Sequence, residues 1–432
     1  VAADVHKIVA AVWRMESARI IAVLARMLRD VGQAEELAQD AMVLALERWP
    51  DSGVPEQPAA WLTTVAKNRA LDALRRRQLH QQKESELSYE IDLQLQDAAP
   101  DLDAAVADAL ENDIGDDLLR LVFVACHPVL STDGRVALTL RMLGGLSTDE
   151  IARAFLVPEK TVAQRIVRAK RTLAEAQVPF EAPRAHELGE RLASVLQVIY
   201  LIYNEGYAAS AGADWMRPAL CEEALRLGRV LAGLQPQESE VHGLVALMEI
   251  QSSRARARLG PQGEPILLLD QDRSRWDQLL IRRGLAALAR AEQMALDGLG
   301  PYALQAAIAA CHARARRGED TDWQRIAALY DALAQLSPSP IVELNRAVAL
   351  SMAYGPQAGL ELVDSLLDAP ALKNYHLLPS VRGDLLAKLG RHTEARIEFE
   401  RAAALTNNER ERQLLQARAS GVNPPKATRA LP

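Results

Sequence analysis

Thr64, Asn68, Asp72 and Arg75 follow one another at intervals of four, four and three residues, so a helix presents them on one face. A hydroxyl, an amide and a carboxylate can pair with base edges, whereas a purely cationic face reads phosphate charge alone. Around them, Trp61 to His80 sets Lys67, Arg69, Arg75, Arg76 and Arg77 against Asp72, a net charge of +4. A second segment, Glu159 to Arg171, sets Lys160, Arg165, Arg168, Lys170 and Arg171 against Glu159, again +4, in a chain whose total is −7. Two separated basic helices in an acidic protein suggest two points of contact with one nucleic acid. Trp49 and Trp61 flank a loop expected from Pro50 to Pro58, which could receive an unstacked base. Taken alone, the first segment also reads as a cationic amphipathic helix with core tryptophans.

Local patterns predict the elements that hold these residues. Leu62, Val65, Ala66 and Ala73 can pack inward beneath the first basic face. Upstream, Glu36, Asp40 and Glu47 line one face of a helix over residues 34–49, with Leu37, Ala41 and Leu44 on another. An acidic, partly apolar helix is a poor phosphate contact and suits a protein partner. Before the second segment, Ser147-Thr148-Asp149-Glu150 is a capping box that starts a helix with Ile151, Ala152 and Phe155 on one face. Leu156-Val157-Pro158 breaks that helix. The next helix has Val162, Ile166, Ala169 and Leu173 as a buried stripe and Thr161, Gln164, Arg165, Arg168 and Arg171 on its other side. That combination is a helix-turn-helix.

Composition bounds the rest. A chain of 432 residues holds two to four domains. Ala and Leu abound and aromatics are only 4%, which predicts an all-α chain. Cys126, Cys221 and Cys311 are odd in number and far apart, which fits a reducing cytoplasm better than a disulfide framework. No run reaches the roughly 20 apolar residues of a membrane helix, and no signal peptide is expected. From Glu84 to Asp117 there are twelve acidic residues and no Lys or Arg. This reads either as a solvated linker, with one helix after Asp101, or as an acidic segment that repels or mimics DNA. Beyond residue 183 the chain becomes Ala-rich paired helices. Turns at Ala353-Tyr354-Gly355 and Lys388-Leu389-Gly390 lie 35 residues apart, close to a tetratricopeptide period.

Other chemistry is weakly signalled. Cys126-His127 and Cys311-His312 lack the ligand number of a zinc site and read as packed or surface residues. Asp270 to Asp277 is densely charged but has no phosphate loop or nucleophile motif beside it, so an interdomain ion-pair network is expected there. Arg254, Arg256 and Arg258 read as a solvated helix face. No catalytic residue, metal or cofactor is expected.

Residues 30–49 followed by Ala60-Trp61-Leu62-Thr63-Thr64-Val65-Ala66-Lys67-Asn68-Arg69-Ala70-Leu71-Asp72 resemble region 2 of the extracytoplasmic-function RNA polymerase sigma factors. Leu146 to Leu173 resembles their region 4, and the order, acidic linker and spacing agree over about the first 175 residues. The extension resembles the subgroup with a tetratricopeptide-like C-terminal domain. Its Leu201-Ile202-Tyr203-Asn204-Glu205-Gly206-Tyr207 and Asp270-Gln271-Asp272-Arg273-Ser274-Arg275-Trp276-Asp277 stretches look like features of that subgroup.

The resemblance implies region 2 over 1–80, an acidic linker over 81–115, region 4 over 116–178, a helical domain over 183–420 and a frayed tail over 421–432. Glu36, Gln39, Asp40 and Val43 would dock on the clamp of the large subunit of core RNA polymerase. Trp61, Thr64, Asn68 and Asp72 would face the opened minus-ten strand, with Lys67, Arg69, Arg75 and Arg76 on phosphates. Lys160, Thr161, Gln164, Arg165, Arg168 and Arg171 would meet the minus-thirty-five element in the major groove. One departure is Leu156, where the family's turn usually carries glycine. The extension would pack on the sigma modules and regulate them in place of a membrane-bound antagonist. The alternative is a helix-turn-helix regulator that acts without replacing the sigma subunit and senses a ligand or partner through its helical domain.

Overall fold

The computed structural model describes residues 2–88, 114–155, 157–209, 214–261 and 263–421. Most of the acidic linker with its expected helix, the turn residue Leu156 and the tail beyond Gly421 lie outside them. The described residues form eighteen α-helices and no strand, as the composition predicts. The chain divides into two compact units, Val1–Ile199 and Tyr200–Pro432.

The first unit begins with three helices: α1 (Ala2–Leu28), α2 (Val31–Ser52) and α3 (Pro58–Ser88). Small residues set their spacing. Ala34, Ala38, Ala41 and Ala45 make the buried stripe of α2, and Leu62, Ala66 and Ala70 that of α3. Against them α1 buries Val9, Ile20, Ile21 and Leu24. Asp30 caps α2 by accepting from the Gln33 amide at 2.9 Å. The loop between α2 and α3 is shorter than the sequence suggests. Pro50 stays in the last turn of α2, and Gly53, at φ 83°, ends that helix by donating to the Trp49 carbonyl at 3.1 Å.

Helices α4 (Ile114–Ala125), α5 (Thr132–Met142), α6 (Thr148–Phe155) and α7 (Glu159–Glu175) follow, and α8 (Leu188–Tyr207) contains the boundary between the units. The predicted capping box forms: Ser147 Oγ accepts from the Glu150 amide at 3.1 Å, and Glu150 Oε2 accepts from the Ser147 amide at 2.8 Å. All four residues of the predicted α7 stripe, Val162, Ile166, Ala169 and Leu173, are buried. They close over Ile151 and Ala152 of α6, and Leu138 and Leu140 of α5 complete the core.

The second unit continues through α9 (Pro218–Leu234), α10 (Ser239–Ser252), α11 (Gln278–Met294), α12 (Pro301–Arg314), α13 (Trp323–Leu336), α14 (Pro340–Tyr354), α15 (Pro356–Ser365), α16 (Leu377–Lys388), α17 (His392–Leu405) and α18 (Glu409–Ala419). Gly355 (φ 102°) and Gly390 (φ 76°) turn α14 into α15 and α16 into α17, at the expected repeat spacing. A Cβ on Gly359 would lie 2.7 Å from the Ala347 carbonyl, and one on Gly383 2.9 Å from the Phe399 ring. Glycine therefore lets both helix pairs close tightly over Leu344, Leu360, Leu385 and Phe399.

One expectation for this unit fails. Arg254, Arg256 and Arg258 do not form one solvated face. Arg254 and Arg258 flank a 3₁₀ turn, Ala255–Ala257, and are buried, and only Arg256 is exposed. Residues 270–277 supply helix caps and a carbonyl-binding arginine. Asp272 and Asp277 cap short and long helix starts, and Arg273 donates to carbonyls.

Candidate nucleic-acid interface

The α3 face is available for contact. Thr64, Asn68, Asp72, Arg75 and Arg76 are exposed, while Trp61, Lys67 and Arg69 are half-buried. Thr64 donates its hydroxyl to the Ala60 carbonyl at 2.9 Å and keeps its acceptor lone pairs outward. Arg75 lies 3.6 Å from Asp72, a loose pair that leaves both groups free to turn to a ligand. The two tryptophans separate: Trp49 is 1% exposed and packs edge-on to Trp61, ring centroids 5.3 Å apart. Trp49 is therefore core, and Trp61 alone borders the loop.

The acidic α2 face is equally open. Glu36, Asp40 and Val43 are exposed and Gln39 is half-buried. Val43 is 50% exposed between acidic neighbours, the pattern of an apolar contact with a charged rim. Arg69 of α3 donates to Asp40 at 2.8 Å, tying the two faces together. On α7, Lys160, Gln164, Arg168 and Arg171 are exposed, and Thr161 and Arg165 are half-buried. Arg165 pairs with Asp133 of α5 at 2.6 Å, and Arg171 with Glu175 at 2.6 Å. Pro158 offers no side-chain cap to α7, so the first amides of that helix stay open to an anion.

These faces carry two known signatures. Residues 12–80 match the family described as Sigma-70 region 2, and residues 120–173 the one described as Sigma-70, region 4. Residues 191–292 match a family of unknown function, DUF6596. The ECF RNA polymerase sigma factor SigK of Mycobacterium ulcerans (strain Agy99) is 31% identical over 160 residues, 36% of this chain and 78% of that protein. The chain is an extracytoplasmic-function RNA polymerase sigma factor.

An uncharacterized protein of Rhizobium meliloti (strain 1021) is 46% identical over 386 residues, 89% of each chain, so the likeness there runs through the extension as well. The probable ECF RNA polymerase sigma factor SigI of Mycobacterium tuberculosis (strain ATCC 25618 / H37Rv) is 26% identical over 189 residues, 43% of this chain and 61% of that one. As a sigma factor, the protein has core RNA polymerase and promoter DNA as its partners, and the reading as a regulator that leaves the sigma subunit in place falls away. Among the described residues, no helix is long and apolar enough to cross a membrane.

Sequence reasoning missed what holds regions 2 and 4 of this sigma factor together. Glu35, one residue before Glu36 of the exposed acidic face, is buried, and its carboxylate accepts from Arg141 of α5 at 2.8 Å and from Lys170 of α7. Lys170 belongs to the basic run of α7, yet it faces this carboxylate and not DNA. Its second contact is Glu36 at 3.7 Å. Arg26 of α1 lies 3.3 Å from the buried Asp117 of α4, and Arg14 pairs with Glu150. Gly145, at φ 63°, brings the α5–α6 loop so close to α1 that a Cβ would lie 2.8 Å from Ser17 Oγ. Burial raises the pKa of the Glu150 carboxyl, but the Ser147 amide and Arg14 outweigh it and hold the group below its ordinary 4.5. Cys126 is packed, as expected: burial pushes its thiol up to about 11 despite its contact with Thr139.

Proposed function

We propose that this sigma factor reads the opened minus-ten strand with Trp61, Thr64, Asn68 and Asp72, holding its phosphates with Lys67, Arg69, Arg75 and Arg76. Lys160, Thr161, Gln164, Arg165, Arg168 and Arg171 read the minus-thirty-five duplex. Glu36, Gln39, Asp40 and Val43 dock on the polymerase clamp. Regions 2 and 4 correspond to residues 1–80 and 116–178, with the acidic segment 81–115 between them. The observation that carries this reading is the exposure of Asn68 and Asp72 on a helix braced, through Arg69 and Asp40, to an open acidic face.

The structure corresponds to a closed form. Helix α7 bonds to α2, and α2 packs on α3, so the axes of the two reading helices lie on the order of 16–20 Å apart at 8–10 Å per packed helix pair. Promoter elements centred about 25 base pairs apart are separated by about 85 Å of duplex at 3.4 Å per base pair. Promoter binding therefore requires the Glu35 contacts to part. The helical extension over 183–420 is the element proposed to bias that opening, through contact with the sigma modules.

Run-off transcription with purified core RNA polymerase tests both parts. Asn68→Ala and Asp72→Ala should each lower promoter-directed transcript about 5- to 160-fold, from ~1–3 kcal/mol per base contact, without loss of polymerase binding. Unchanged transcript from both variants removes the strand-reading role. Truncation after residue 180 should change output from the same promoter, and equal output removes the regulatory role of the extension.

A further inference from the structure

The two stretches singled out in the extension, 201–207 and 270–277, converge on a group of arginines that the transcriptional reading leaves without a purpose. Arg258 lies 3.6 Å from the centroid of the Tyr207 ring, and Arg254 lies 5.8 Å from Tyr207 and 5.9 Å from Trp276. Arg273 lies 4.9 Å from the same Trp276 ring. Arg254 and Arg258 are only 9% and 7% exposed, and among the described residues none of the three arginines forms an ion pair.

Buried arginines are ordinarily matched by carboxylates, because an unpaired buried charge is costly. Here the hydrogen-bond acceptors are few and neutral, and the carboxylate that acts on the half-buried Arg273, Asp320, is itself paired with Arg317. Arg258 donates to the Tyr207 carbonyl, and Arg273 donates to the carbonyls of His312 at 2.6 Å and Ala315 at 2.8 Å and to Thr321 Oγ1 at 3.2 Å. The Arg254 guanidinium has no acceptor among the described residues. Its Nε is buried without a partner, as are Trp276 Nε1 and His312 Nδ1. The aromatic faces offset part of the cost, since a desolvated ring attracts a cation through its quadrupole. They supply no acceptor for the orphaned N–H groups. Burial, then Arg254 and Arg273, pushes His312 down to about 4, so the imidazole adds donor capacity without a fourth charge. Arg254 bridges the Tyr207 and Trp276 rings, with Arg258 on the first ring and Arg273 on the second, and such a donor set, with an orphaned indole N–H and imidazole nitrogen, favours an anion with several oxygens.

We propose that this cluster is a binding site for a small phosphate-type oxyanion of at least two negative charges, which acts as an effector of the helical extension. Inorganic phosphate and the phosphate group of a small metabolite share that chemistry. Guanidiniums bind such oxygens in pairs, and Trp276 and Tyr207 exclude water from the contact. No earlier conclusion about promoter reading depends on this site, and its test does not use transcription.

The test is calorimetric titration of the full-length protein at pH 7 with inorganic phosphate and, separately, with adenosine monophosphate. The baseline is sodium chloride of equal ionic strength. Saturable binding of either anion is expected. Tighter binding of the nucleotide identifies a metabolite, and equal or weaker binding identifies inorganic phosphate. Arg254→Met should weaken binding about 10- to 100-fold, the usual effect of losing a charged hydrogen-bonding partner, whereas Arg256→Met at the exposed neighbour should leave it unchanged. Should Arg254→Met fail to fold, Arg273→Met and the tryptophan fluorescence of the wild-type protein under the same titration provide the readout. The proposal is overturned if neither anion binds saturably. It is also overturned if Arg254→Met binds as the wild type does, or is more stable than the wild type while both respond equally to phosphate.

Discussion

Replacing Glu35 with alanine tests the closed arrangement most directly. The carboxylate side chain is 4% exposed, and its partners Arg141 and Lys170 are 18% and 17% exposed. Removing one member of a buried pair costs about 3–5 kcal/mol, because the charge left behind loses its counterion without regaining water. Two cations are stranded here, but each is about one-sixth open and can partly rehydrate, so a loss of about 3 kcal/mol is expected. Glu36 is the internal control: it is 71% exposed and 3.7 Å from the same Lys170, and its removal should cost less than about 1 kcal/mol. Urea unfolding of Glu35→Ala, Glu36→Ala, Lys170→Ala and the Glu35/Lys170 double variant yields both the losses and their coupling, expected at about 1–3 kcal/mol. Dyes at the exposed residues Glu56 and Glu175 should report a longer distance in Glu35→Ala than in the wild type. The reasoning is refuted if Glu35→Ala costs no more than Glu36→Ala, or if the distance does not change.

Three further outcomes follow from the same geometry. Gly145→Ala should destabilise the first unit by about 1–3 kcal/mol in thermal unfolding, because its φ of 63° and the 2.8 Å approach to Ser17 Oγ both exclude a Cβ. Arg76→Ala on the exposed rim of α3 should weaken promoter binding alike for all sequences and lower its salt dependence by about one ion, whereas Asn68→Ala should relax sequence preference with little change in salt slope. Acid should weaken the protein before its carboxylates protonate. His312 has a folded pKa of about 4, below its ordinary 6.5, because of burial and then Arg254 and Arg273. The unfolded chain thus binds the extra proton between those values, and stability present above pH 6.5 is lost as pH falls towards 4. His127, lowered to about 4 mainly by burial, adds in the same direction, and Glu150 contributes only below its ordinary 4.5. His312→Gln should flatten the loss measured by unfolding between pH 7 and 5, worth about 2 kcal/mol over that range.

Much of the site was legible because helix faces and caps are local. The capping box at Ser147 and Glu150, the stripe from Val162 to Leu173 and the outward set of Thr64, Asn68 and Asp72 all follow from spacings of three and four residues, which any helix turns into faces. The glycine turns at 355 and 390 followed from their spacing for the same reason. Pro50 misled because a proline near a helix end reads as a boundary, yet the last turn of α2 accommodates it.

Tertiary structure alone decided which charges face each other. Glu35 and Glu36 are adjacent and chemically alike, yet one is buried against Arg141 and Lys170, 106 and 135 residues away, and the other is open to a partner. Lys170 looked like one more DNA cation, and Arg254 and Arg258 looked like solvated surface. Their surroundings come from helices distant in the chain, and burial, which sets the strength of every charge interaction, is a property of that packing and not of local order.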